Sequence, residues 1–214
     1  MRKILICALI ATSCSSDEKE NTTEQQLQTD SVFTSTEVKS ENTEAIEVMD
    51  FPLDSLLHFD SMAELKEVFG DDVVQSFGYF PEGMGTYPNT RLYPKTKNEV
   101  EFQWNDTINF KDLRVICIAG ESCGWKTKVG ITLGTTLKDL EKLNTKPFTF
   151  SGFGWDYSGT TSWDGGELEK MKIGVTLGLK DNFVEGLAGE QQFKSSFELA
   201  QKANPIVVEV TLIR

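Results

Sequence analysis

Two clusters of aromatic and acidic residues, Trp155-Asp156-Tyr157 and Trp163-Asp164, are the side chains of this sequence best suited to chemistry. Aromatic faces beside carboxylates serve sugar or cationic-peptide recognition, through stacking, hydrogen bonds and cation–π contacts. Paired carboxylates also serve glycoside hydrolysis, where they must stand about 5–5.5 or 6.5–9.5 Å apart. Asp156, Asp164, Glu167 and Glu169 could supply oxygens to calcium, but their spacing matches no known calcium loop. The same residues also make sense as architecture, with strand aromatics packing under helices and aspartates forming turns. Architecture is the preferred reading. The binding surface carried forward against it is Trp155, Asp156, Trp163 and Asp164.

Other chemistry is poorly provided for. His58 is the only histidine, so no Ser–His–Asp set, HExxH motif or cysteine–histidine zinc cluster can be assembled. Phosphate-binding glycine motifs are absent, and Gly152-x-Gly154 lies in a strand-and-hairpin context. No catalytic residue, metal or cofactor is expected. The net charge is -12 with no basic stripe, which excludes the counterion-displacing surface that nucleic-acid binding requires.

The body reads as alternating caps, strands and turns. Ile46–Phe59 is an apolar lead-in, read as an edge strand broken by Pro52. Ser61 and Glu64 form a capping box ahead of Met62, Leu65, Val68 and Phe69 at helical spacing, and Gly70 ends that helix. Val73–Phe80 is a strand, and Met84–Asn98, with two prolines, reads as a loop. Glu99–Trp104 and Leu113–Ile118 alternate as half-buried strands do. Thr136 and Asp139 cap a second helix with Leu137, Leu140 and Leu143 on its buried face, ended by Asn144 and Pro147. Phe148, Phe150 and Phe153 line a strand, Thr160–Trp163 returns, and Leu168–Leu179 reads as a long strand. A helix over Ser196–Lys202 and a closing strand over Ile206–Ile213 complete the chain.

The N-terminus reads as an address. Arg2 and Lys3 precede a short apolar run and then Ala11-Thr12-Ser13-Cys14, a signal-peptide layout too short to span a membrane. Small residues directly before a cysteine resemble the lipobox of bacterial lipoproteins. That resemblance implies cleavage before Cys14, lipidation of its thiol and, with Ser15 following, delivery to the outer membrane, periplasmic or surface-exposed. Residues 15–50 carry ten acids against Lys19 and Lys39, and residues 15–46 hold too few apolar side chains to fold, so they read as a tether. Cys117 and Cys123 then remain as an even pair in an oxidising compartment, where a structural disulfide is expected and a redox pair is its rival.

The run Ser61-Met-Ala-Glu-Leu-Lys-Glu-Val matches Thr136-Leu-Lys-Asp-Leu-Glu-Lys-Leu in residue class, with Phe77-Gly78-Tyr79 falling on Phe153-Gly154-Trp155. This suggests a tandem αβββ duplication. Gly130-x-x-x-Gly134-x-x-x-x-x-Leu140, running into a hairpin, resembles the helix-plus-meander unit of the outer-membrane-assembly lipoprotein family BamE (SmpA/OmlA). The tandem arrangement resembles beta-lactamase-inhibitor-type proteins, and the block as a whole resembles uncharacterised lipoproteins of Gram-negative bacteria. Asn144-Thr145-Lys146-Pro147 stands where the first family has a glycine-proline helix exit. The expectation is an α+β fold, an antiparallel sheet with helices on one face. Its parts would be a signal peptide (1–13), a lipidated tether (14–46), a first αβββ unit (47–128) and a second with the closing strand (129–214). The expected function is a non-enzymatic cell-envelope lipoprotein that is anchored in the membrane and binds a protein partner or supports envelope assembly. The alternative is a surface glycan- or peptide-binding module, with a carboxylate-based hydrolase behind it.

Overall fold

The computed structural model describes residues 49–80, 84–180 and 184–214. The signal-peptide, Cys14 and tether readings lie outside these residues. The fold is α+β. A six-stranded antiparallel sheet runs in the order β1 (Val73–Tyr79), β2 (Thr86–Leu92), β3 (Val100–Asp106), β4 (Lys111–Ala119), β9 (Ile206–Ile213), β7 (Ile173–Gly178). A smaller sheet holds β6 (Thr161–Ser162), β5 (Thr149–Ser151) and β8 (Gln192–Lys194). The helices are α1 (Met62–Phe69), α2 (Leu137–Asn144), α3 (Glu167–Lys170) and α4 (Glu198–Ala203).

Strand alternation divides the large sheet into two faces. Leu92, Val100, Phe102, Trp104, Ile116, Ile118, Val210 and Leu212 point to one face and are buried. Leu65 of α1, Leu137 and Leu140 of α2, and Leu53 and Leu56 share that core. Leu53–His58 is a 3-10 helix, not the broken edge strand expected, because Leu53 and Leu56 both turn inward at helical spacing.

Both helix caps form. Ser61 Oγ accepts from the N–H of Glu64 at 3.3 Å, and the Glu64 carboxylate accepts from the N–H of Asp60 at 2.8 Å, one residue earlier than the capping box required. Thr136 Oγ1 accepts from the N–H of Asp139 at 3.2 Å. Val68, placed at helical spacing with Met62, Leu65 and Phe69, is 63% exposed.

Three further readings change. Met84–Asn98 is not one loop, since β2 occupies Thr86–Leu92 and contains Pro88. Pairing of β2 with β3 covers only Thr90–Leu92, so Pro88, which has no N–H to give, lies where that edge of β2 is unpaired. Leu168–Leu179 is not one strand. The Glu169 carboxylate accepts from the N–H of Gly165 at 2.5 Å, α3 forms, and the chain reverses through Lys172 at φ 54° before β7 begins. The tandem αβββ repeat does not emerge as a repeated topology: α1 leads into the β1–β4 meander, whereas α2 leads into β5 and β6 of the smaller sheet.

Asn144, read from sequence only as a helix terminator, joins three elements. It is fully buried at the end of α2. Its Nδ2 donates to the carbonyls of Lys146 (3.1 Å) and Trp163 (3.0 Å), and its Oδ1 accepts from the N–H of Leu168 (3.3 Å). A Cβ on Gly166 would stand 2.0 Å from Asn144 Oδ1, so the turn approaches closely enough to require glycine there. Asn144→Leu keeps the branching of the side chain but strands buried backbone groups, each costing about 1–3 kcal/mol. We expect it to lower unfolding stability by about 2–4 kcal/mol in urea denaturation, and an unchanged midpoint would contradict this role.

Candidate functional site

The Trp155–Asp164 block does not form one surface. Trp163 is 5% exposed, packs edge-on against Phe148 with ring centroids 5.1 Å apart, and donates its indole N–H to the carbonyl of Ile173 at 2.5 Å. It belongs to the core. Asp164 sits in the following turn at φ 55°, accepting from Thr149 Oγ1 (2.8 Å) and Lys194 Nζ (2.9 Å). The Lys194 hydrogen bond, first among the causes, holds its carboxyl below the usual carboxylate range. That aspartate staples the turn to β8. Glu167 likewise pairs with Lys170 at 2.6 Å, and among the described residues no three acids, cysteines or histidines gather as a metal site.

Trp155 and Asp156 lie apart from them, in the loop between β5 and β6. Trp155 is half-buried, donates to the carbonyl of Gly152 at 2.8 Å and meets Tyr157 edge-on at 5.3 Å. Asp156 is exposed and Tyr157 is 51% exposed. Gly159 locks the loop: at φ 72° it lies against the backbone of Leu177, where a Cβ would stand 1.9 Å from the carbonyl oxygen. What remains of the candidate surface is Trp155, Asp156 and Tyr157. His58 is exposed, with Nδ1 3.1 Å from the carbonyl of Ser55.

Cys117 and Cys123 are unbonded, contrary to the disulfide expected. Alternation along β4 explains this. Ile116 and Ile118 face the core, so Cys117 faces the other way, between Glu101 and Thr211 on the neighbouring strands. Cys123 packs on the core side, its Sγ 3.7 Å from the carbonyl of Trp125 and 3.8 Å from Thr132 Oγ1. Burial, reinforced by Glu209 and Glu101, pushes the Cys117 thiol up to about 12. A thiol so protonated is a poor nucleophile, which also counts against a redox pair.

Around Cys117 the second sheet face carries a polar network. Glu101 accepts from Tyr87 Oη (2.8 Å), Gln103 Nε2 (2.9 Å) and Arg91 (3.4 Å), Arg91 also pairs with Glu99, and Arg114 donates to Gln103 Oε1 (2.6 Å). Burial first, then the Glu101 hydrogen bond, raises the Tyr87 phenol well above its ordinary value. The ring of Tyr87 lies over Gly78, where a Cβ would stand 2.1 Å from it.

Sequence reasoning passed over the arm formed by β1 and β2. Beyond Thr90 the arm leaves β3, opening a groove of about 240 Å³ between Phe80, Tyr87 and Pro88 on one side and Trp104 and Arg114 on the other. Phe77, Tyr79, Phe80 and Met84 on the arm are 54%, 80%, 43% and 68% exposed. The signal was present in VVQSFGYF, an uncharged run whose aromatics outnumber what one buried face needs. No known protein family, curated protein or solved structure matches the chain.

The thiols provide a direct check. Alkylation and peptide mass spectrometry of unfolded protein, without reductant, is expected to label both Cys117 and Cys123; a linked loop would contradict the assignment. The raised Cys117 value has a signed consequence. Between the ordinary thiol value, about 8.5, and about 12 the unfolded chain gives up this proton while the folded chain keeps it. The stabilisation is complete below that window and is lost as pH rises through it. Thermal melts of Cys117→Val should show a shallower alkaline decline than wild type, and parallel declines would contradict the burial argument.

Proposed function

We propose that this chain is a non-enzymatic lipoprotein of the outer membrane that acts by binding another protein through the β1–β2 arm. The supporting observation is the concentration of exposed Phe77, Tyr79, Phe80 and Met84 on an arm that leaves the sheet. Exposed aromatics and methionine are the residues that enrich protein interfaces. The lipobox-like Ala11-Thr12-Ser13-Cys14 and the acidic run after it support anchorage at the membrane with the body held away from it. Under this reading Glu101, Arg91, Tyr87 and Gln103 hold β2 and β3 together at the root of the arm, and Tyr87 stiffens it by covering Gly78.

A second reading keeps one specific support. Trp155 and Tyr157 present a partly exposed aromatic pair beside the free carboxylate of Asp156, a platform for a sugar ring or a basic peptide. The hydrolase reading loses ground, because Lys194 and Thr149 both bond Asp164 at Oδ2 and the lysine holds its carboxyl below the usual carboxylate range, the opposite of what a general acid needs.

A photo-crosslinking amino acid at Tyr79, in intact cells, is expected to capture a protein, while the same residue at Tyr157 captures none. Capture at Tyr157 alone would favour the second reading. The anchor has its own test: Cys14→Ser should move the protein from the membrane to the soluble fraction, and unchanged retention would overturn lipidation.

A further inference from the structure

The protein-binding reading of the arm leaves open what binds there, and the backbone of β1 narrows it. Among the described residues β1 pairs only with β2, so it forms one edge of the large sheet. The opposite edge, β7, is closed: the N–H of Leu177 donates to the carbonyl of Gly159 at 2.9 Å, Thr160 bridges Thr176, and Thr161 Oγ1 donates to the carbonyl of Val175 at 2.8 Å. The β1 edge carries none of the usual protections, having no lysine, no other charge and no proline across Val73–Tyr79.

Its hydrogen-bond phase follows from the turn. The N–H of Phe80 donates to the carbonyl of Gly85 at 2.9 Å, and the register runs from Tyr79–Thr86 to Val73–Leu92. In an antiparallel ladder bonded pairs alternate, so Gly78, Ser76 and Val74 turn their peptide groups towards β2. The N–H and C=O groups of Val73, Gln75, Phe77 and Tyr79 therefore face outward together. These are also the positions whose side chains share the face on which Phe77 and Tyr79 are exposed.

We propose that a second copy of this chain pairs antiparallel with β1 about a two-fold axis at Ser76. The inference rests on the arm being a protein-binding surface and names its partner. With Ser76 opposite its own copy, Gln75 meets Phe77 of the second copy and Val73 meets its Tyr79. Every outward-facing peptide group from Val73 to Tyr79 then faces another, over the full length of the strand. The two Phe77 rings come diagonally across the axis, within reach of each other, and lose their exposure. Charge favours this strip as well. Each chain carries -12, so two copies repel over most approaches, whereas β1 brings an uncharged, self-complementary edge to the contact. The result is one continuous sheet through both copies.

The test uses the full chain in its membrane. In this register Ser76 faces its copy as a non-hydrogen-bonded pair, with Cα atoms about 4.5 Å apart, close enough for a disulfide. Ser76→Cys under mild oxidation is expected to give a disulfide-linked dimer on a non-reducing gel, at least tenfold above wild type and above Gln75→Cys, whose copy lies diagonally. Adding Phe77→Lys to Ser76→Cys should reduce the dimer at least tenfold while leaving the circular dichroism melt in place, separating loss of pairing from loss of folding. Equal crosslinking at residues 75 and 76, or none at 76, overturns the paired edge. A monomeric Ser76→Cys protein whose Tyr79 crosslinker captures a different protein overturns the second copy and leaves the binding reading standing. No capture of any kind removes both.

Discussion

β9 exchanges backbone hydrogen bonds with β4 along one side and with β7 along the other, and the rest of the structure depends on that double pairing. β4 ends the meander of the first half of the chain, while β7 belongs to the second. Among the described residues β9 is the strand that joins them in the sheet. The same segment anchors α2: Gly134 donates to the carbonyl of Val207 at 2.8 Å, Val207 to that of Thr135 at 2.8 Å, and Leu137 to that of Pro205 at 2.8 Å. Val207, Val210 and Leu212 are fully buried or nearly so, and pack in the core that both halves share. Such long-range pairing is entropically costly to close, so the large sheet forms cooperatively or not at all.

With β9 in the middle, the two edges of the sheet acquire different fates. β7 is covered by the hairpin that leads into it, and the buried turn around Asn144, Trp163 and Gly166 holds that hairpin against α2. β1 is left outermost at the far end, tied to β3 among the described residues through Thr90–Leu92, the last residues of β2, and the Glu101 network beneath. The exposed aromatic arm is thus a consequence of topology: the strand farthest from the closing pair has the fewest neighbours to cover it.

Local chemistry was readable where local chemistry decides. The hydroxyl caps at Ser61 and Thr136, the alternation of β3 and β4, and the β-branched, mostly apolar run of β9 depend on near neighbours, and these elements form where their residues predict. Readings failed where a distant partner decides. Pro88 argued for a loop because nothing in the sequence says which edge of β2 is unpaired. Leu168 continued an apolar alternation, yet its N–H goes to Asn144 and its chain turns helical. Trp163-Asp164 resembled half of a binding surface until Phe148, Ile173 and Lys194 arrived from elsewhere in the chain to occupy both side chains. Cys117 and Cys123 are close in sequence, but strand alternation turns Cys117 away from the core, while the loop after β4 packs Cys123 against it.

The central claim is that the outer edge of β1 is a binding edge used by a second copy. Amide hydrogen exchange resolved residue by residue reads that edge most directly. The account predicts that the N–H groups of Gln75, Phe77 and Tyr79 exchange slowly, and that their protection falls as the protein is diluted while that of Gly78, bonded to β2, stays constant. Fast exchange at Gln75, Phe77 and Tyr79 at every concentration would contradict it.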